Sequence, residues 1–117
     1  MKESEIQKQI MRYLKNVRNG FFYRSNNIGV PLHSGGGFRP SPVKGLADII
    51  GCLYGRFVAI EVKTKKGKVS QNQVEFCKSV QSSGGVYIVA RDLQTVQDMI
   101  EHLEGMELKK DNDQMEF

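Results

Sequence analysis

Apolar residues recur along the chain with two different periods, and the switches between them mark out its elements. Ile6, Ile10, Tyr13, Leu14 and Val17 stand at helical spacing, and Ser4 with Gln7 three residues on has the pattern of a capping box. A first helix is expected over residues 5–18, stopped by Gly20. Residues 21–25 are aromatic and β-favouring and predict a short strand. The run at 47–53 predicts a second strand, and a short link, Tyr54-Gly55-Arg56, leads into a third at 57–63. A link that short allows only an antiparallel hairpin. Ser70 and Gln73 form a second capping-box pattern and open a helix to about Ser83, ended by Gly84-Gly85. Residues 86–90 predict a buried strand. Asp92 then caps a last helix over 93–104, with Leu93, Val96, Ile100 and Leu103 as its apolar stripe. The order α, β, β, β, α, β, α predicts an α/β protein of the α+β kind, one mixed sheet flanked by helices.

The third strand, FVAIEVK, carries the first hint of chemistry. Alternation places Phe57, Ala59, Glu61 and Lys63 on one face and Val58, Ile60 and Val62 on the other. Glu61 and Lys63 are therefore neighbours, either as a solvated ion pair at a strand end or as the floor of an active site. In the hairpin, the start of the second strand and the end of the third are the same end. Asp48 then converges on Glu61 and Lys63 if the register places it on their face.

Between the first two strands, residues 26–44 lack periodicity and hold Gly29, Pro31, Gly35, Gly36, Gly37, Pro40 and Pro42. A long loop is expected there, and loops of such length are commonly functional. Arg24 stands at its entrance, with His33, Phe38, Arg39 and Lys44 along it. Basic groups on a Gly-rich segment suit a phosphate backbone, and so do Lys65, Lys66 and Lys68 in the turn after FVAIEVK. The alternative is a solvated loop with incidental charges.

Composition narrows the class. The 117 residues suit one domain, expected over 1–104, followed by a polar tail over 105–117 that frays or serves a partner. Seventeen Lys and Arg against thirteen Asp and Glu leave +4, which favours a polyanionic partner without requiring one. Cys52 and Cys77 form no CxxC pair and neighbour neither His33 nor His102, which argues against zinc. No signal-peptide pattern and no membrane-spanning apolar run is present, so an intracellular, cytoplasmic location is expected.

Two carboxylates at one hairpin end meet what a hard divalent cation asks of a protein, since Mg2+ commonly takes one or two carboxylates with phosphate and water oxygens. A lysine beside them can orient the attacking water and stabilise charge on the phosphate. These are the parts for metal-assisted phosphodiester hydrolysis. For Glu5 in the first helix, taken alone, capping and the helix dipole are the better explanation. Gln73 heads the inward face of its helix, yet as a capping residue it would turn back toward Ser70; the two readings stay open.

Asp48 followed after twelve residues by Glu61-Val62-Lys63 resembles the catalytic signature of the PD-(D/E)XK nuclease superfamily, with its αβββαβ, restriction-endonuclease-like core. Together with Glu5, Lys44-Gly45-Leu46-Ala47-Asp48 and Ser70-Gln71-Asn72-Gln73, it resembles the VRR-NUC branch, the virus-type replication-repair nucleases, over most of the chain up to Leu103. Ala47 stands where the superfamily often has proline. The resemblance implies that Asp48, Glu61 and the Val62 backbone carbonyl bind Mg2+ or Mn2+, that Lys63 positions water, and that Glu5 and Gln73 extend the site. It further implies a homodimer that cuts branched DNA such as four-way junctions in a bacterial or phage-infected cell. A non-catalytic nucleic-acid-binding module on the same fold is the alternative, and a small protein-interaction domain is a third.

Overall fold

The computed structural model describes residues 1–25, 30–31, 38–39 and 43–115, with side chains described over 1–25 and 43–110. The chain runs α1 (Glu3–Leu14), β1 (Gly20–Arg24), β2 (Val30–Pro31), β3 (Phe38–Arg39), β4 (Ile49–Leu53), β5 (Arg56–Val62), α2 (Gln71–Ser82), β6 (Val86–Ala90) and α3 (Leu93–Met115). Four strands form a mixed sheet in the order β1-β4-β5-β6. β1, β4 and β5 are antiparallel neighbours, while β5 and β6 run parallel through the α2 crossover. This is the α+β arrangement expected from the pattern, with one helix added after the αβββαβ order.

The alternation in β5 builds two cores. Val58, Ile60 and Val62 face α1 and α3, where Ile6, Ile10 and Leu14 meet Val96, Ile100 and Leu103 across the sheet's own Ile49 and Leu53. Ala59 faces the other way, toward a smaller cluster in which Val80, Phe76 and Cys77 of α2 pack on Tyr87 and Ala47. The β4–β5 turn needs two left-handed residues, Tyr54 at φ 50° and Gly55 at φ 80°, the backbone of a type I′ hairpin.

Three boundaries differ from expectation. Helix α1 begins at Glu3 behind Lys2, and no side chain caps it, so Ser4 lies inside the helix and its pairing with Gln7 as a capping box does not form. Glu3 and Glu5 in the first turn satisfy the dipole instead. The helix ends at Leu14, where the Asn16 and Val17 amides tighten onto Tyr13 and Leu14 carbonyls, and Asn19 takes the left-handed position at φ 62°. Gly20 therefore opens β1 and does not stop the helix. The third departure is α3, which continues through Gly105 to Met115 and does not break into a tail. Glycine costs a helix about 1 kcal/mol, and the helix formers around it, Met106, Glu107, Leu108, Lys109 and Lys110, offset that.

Within the stretch expected to be loop, β2 and β3 pair antiparallel, Val30 with Arg39 and Pro31 with Phe38. His33 lies outside the described residues, as do the side chains of Phe38 and Arg39. Among the described residues no helix is long and apolar enough to cross a membrane.

Candidate active site

The hairpin register decides where Asp48 goes. Ile49 pairs with Ile60, so one residue further out Asp48 falls beside Glu61, on the face toward α2. Asp48 Oδ2 accepts the Val62 amide at 2.8 Å, and a hydrogen bond joins the Asp48 and Glu61 carboxyls. The backbone before Asp48 is held as tightly. Gly45 has φ +73° and lies so close to the first turn of α2 that an added Cβ would stand 2.1 Å from the Asn72 carbonyl oxygen. Ser25, just past β1, donates its amide to the Asp48 carbonyl at 2.9 Å and its hydroxyl to the Ala47 carbonyl.

Glu61 is 2% exposed, the buried charged residue of the sheet. Burial pushes its pKa up to about 9; the Asp48 hydrogen bond and charge push the same way, Lys63 pulls it down and Glu3 raises it. Its Oε2 has no hydrogen-bond partner. Lys63 extends the β5 ladder, its amide donating to the Ala90 carbonyl at 3.0 Å, and its side chain is half-buried. Among the described residues no ion pair joins it to Glu61. A solvated ion pair at a strand end is therefore not what the chain builds here.

The Val62 amide points toward Asp48, and the carbonyl of a strand residue leaves on the same side as its amide. Two carboxylates and that carbonyl form a set of hard oxygen donors suited to Mg2+ or Mn2+, and the orphaned Glu61 Oε2 is a buried acceptor in want of a cation or donor. Among the described residues no cluster of three or more His, Cys, Asp or Glu side chains forms. Two carboxylates are enough for Mg2+, which keeps several waters.

The remaining expected residues divide. Glu5 is the first-helix acid expected at the site; the first-helix charge that adds, as the least of the causes, to the raised pKa of Glu61 is that of Glu3. Glu3 stands three residues before Ile6 and seven before Ile10, on the stripe that meets the sheet, and Glu5 is off that stripe. Gln73 is engaged in the cap: its Oε1 accepts the Ser70 amide at 2.8 Å while its own amide donates to Ser70 Oγ at 3.2 Å. Arg24 is exposed at the end of β1 opposite Ile49, and Lys44 is exposed four residues before Asp48. Lys65, Lys66 and Lys68 are exposed in the turn after β5. Lys65 and Lys66 line a cleft of about 500 Å³ beside the start of α1.

Two contributors were not singled out from the sequence. Arg91 Nη1 donates to the Thr64, Lys65 and Gly67 carbonyls, the last at 2.8 Å, and so shapes the basic turn. Tyr87 sits on β6 in the row of Ala59 with its hydroxyl buried and unpartnered. Burial raises its pKa first, then the charges of Glu61, Cys77 and Asp48. A tyrosine inside an otherwise apolar strand was the available signal, since a buried phenol brings a polar tip into the core. Comparison with protein-family models and with curated proteins returns no match.

Proposed function

We propose that the protein is a Mg2+- or Mn2+-dependent DNA endonuclease of the VRR-NUC kind, hydrolysing phosphodiester bonds in branched DNA such as four-way junctions, and working as a homodimer. The observation that carries this reading is the meeting of Asp48 and Glu61 at the open end of the β4–β5 hairpin, in a corner where a Glu61 oxygen is buried without a partner. Asp48, Glu61 and the Val62 carbonyl would hold the cation, which when bound supplies Lewis acidity and a more acidic water. Lys63 stands two residues beyond Glu61 on the same face, placed to orient the attacking water and to neutralise charge gathering on the phosphate. Glu61 would have to release its proton to hold the cation, and the Val62 amide fixes Asp48 through its Oδ2. Exposed Lys44 just before Asp48, Arg24 at the end of β1, and Lys65, Lys66 and Lys68 just past β5 all lie around this one end of the sheet and would supply phosphate contacts. A two-fold dimer would match the two-fold symmetry of a four-way junction.

The test is incubation of the purified protein with a labelled four-way junction in Mg2+ or Mn2+. Cleavage that stops on chelation and with Asp48→Asn is expected; equal cleavage by that variant rejects the assignment. A second reading draws on Gln73 being committed to the cap and on Glu61 holding its proton at neutral pH. It is a nucleic-acid-binding module whose carboxyl pair is structural, with salt-sensitive binding and no metal-dependent product. Metal-dependent cutting in the same assay eliminates it.

A further inference from the structure

On the face of the sheet toward α2, the side chains stand in rows across the strands. Ser25, Asp48 and Glu61 form one row, Tyr23, Ile50, Ala59 and Tyr87 the next, and Phe21, Cys52 and Phe57 the third. Helix α2 covers the β5–β6 half of this face through Phe76, Cys77 and Val80. Among the described residues, three rings of this face stay exposed outside that cover: Phe21 at 65% and Tyr23 at 52% on β1, and Phe57 at 42% at the start of β5. Large rings gathered on one open sheet face are uncommon unless something binds there.

We propose that Phe21, Tyr23 and Phe57 form a stacking track for unpaired nucleotides of DNA, running along the sheet from the carboxylate corner. The proposal rests on the nuclease reading of that corner. Three observations favour a nucleic-acid strand over other occupants. Phe21 and Tyr23 are two residues apart on one edge strand, about 7 Å, which gives each ring its own base to stack on. Tyr23 is one such step from the Ser25–Asp48 row, so a strand lying on the rings would reach the carboxylates without leaving the face. The residues between and beside the rings on this face, Ile50 and Cys52, are uncharged, and Lys44 stands exposed before Asp48, where the backbone phosphates would pass; Arg24, paired with Ile49, belongs to the opposite face. Stacking on aromatic side chains of a sheet is a general means of holding single strands, because every base has a π-face. The track would favour junctions and forks with unpaired nucleotides over plain duplex.

The chain has no tryptophan, so Tyr23→Trp supplies a single reporter. In EDTA, oligo(dT) is expected to quench its fluorescence. The double variant Phe21→Ala/Tyr23→Ala should weaken binding to a fork with unpaired arms by about fivefold or more, while binding to blunt duplex changes less than about twofold, and Tyr23→Phe should bind as the parent does. Absence of quenching, equal losses on fork and duplex, or a double variant whose only change is a smaller oligomer would overturn the track; the last would make this face a contact between copies of the chain. Because binding is read without metal, the two readings fail separately. Quenching with no metal-dependent cleavage sinks the nuclease assignment and keeps the track, whereas cleavage without quenching does the reverse.

Discussion

Asp48 and Val62 are joined side chain to backbone across the open end of the hairpin, the Val62 amide donating to Asp48 Oδ2 at 2.8 Å. The carboxylate thus stands where the next ladder acceptor would fall, and one residue serves both strand pairing and the candidate metal centre. Asparagine in its place retains an acceptor for Val62 and removes a negative charge beside Glu61. Asp48→Asn is therefore expected to be as stable as the parent or more so at neutral pH, while losing Mn2+ binding. Asp48→Ala strands the Val62 amide and should cost about 1–3 kcal/mol. Chemical denaturation in EDTA, with Mn2+ titration by calorimetry, separates the two.

Stability should fall with rising pH because of Glu61. Its folded pKa of about 9 lies above the ordinary value of 4.5, so between those limits the folded state holds a proton that the unfolded state has released. The favourable contribution is complete below about 4.5, declines by up to about 1.4 kcal/mol per pH unit, and is gone above about 9. Urea unfolding from pH 5 to 9 should show this slope, and Glu61→Gln should flatten it. Mn2+ affinity should move the opposite way, rising with pH as the proton becomes easier to displace. A parent protein whose stability is flat over that range would contradict the buried, protonated carboxyl.

Arg91 is expected to matter to DNA binding without touching DNA. Its Nη1 gathers the Thr64, Lys65 and Gly67 carbonyls, and a lysine, with its ammonium on a different stem and strongly hydrated, is expected to hold them less well. Arg91→Lys should cost about 1.5–3 kcal/mol and loosen the turn. Faster amide exchange over residues 64–68, together with weaker binding to duplex at low salt, would show it; unchanged exchange would mean the turn holds itself.

Gln73 can be assigned by coupling. Ser70→Ala and Gln73→Ala should each cost about 1 kcal/mol, and the double variant little more than the larger single loss, because the two arms satisfy each other. With stability taken into account, Gln73→Ala should retain junction cleavage. Loss of cleavage in a stably folded Gln73→Ala would restore it to the site.

Much of this arrangement was legible in the residues. Period-two alternation in FVAIEVK placed Glu61 opposite the Val58, Ile60 and Val62 face, and the short link at Tyr54-Gly55-Arg56 brought Asp48 to the same hairpin end, while the register that sets it on Glu61's face is read only from the strand pairing. The capping-box pattern of Ser70 with Gln73 forms because both arms are local, while which way the Gln73 side chain turns was open in the sequence. What failed depended on competition. Ser4 is as good a cap as Ser70 in isolation, but the helix starts behind Lys2 and leaves Ser4 inside it. Gly105 is a stop signal only where the following residues have somewhere better to go, and they are good helix formers. The β2–β3 pairing sits among glycines and prolines that give no alternation to read. Tyr87 and Arg91 act across the crossover, at sequence distances where no period operates.

The parallel pairing of β5 with β6 has a consequence for the order in which the corner is completed. The hairpin alone can bring Asp48 to Glu61, since the two are close in sequence, but the β6 neighbour of Glu61, Val89, arrives only after the chain has traversed α2. Non-local closure of that kind is slow beside hairpin formation. The raised pKa of Glu61 thus depends on the crossover as much as on the hairpin: a hairpin without β6 and α2 beside it would leave both carboxylates wet, with nothing to hold the proton on Glu61.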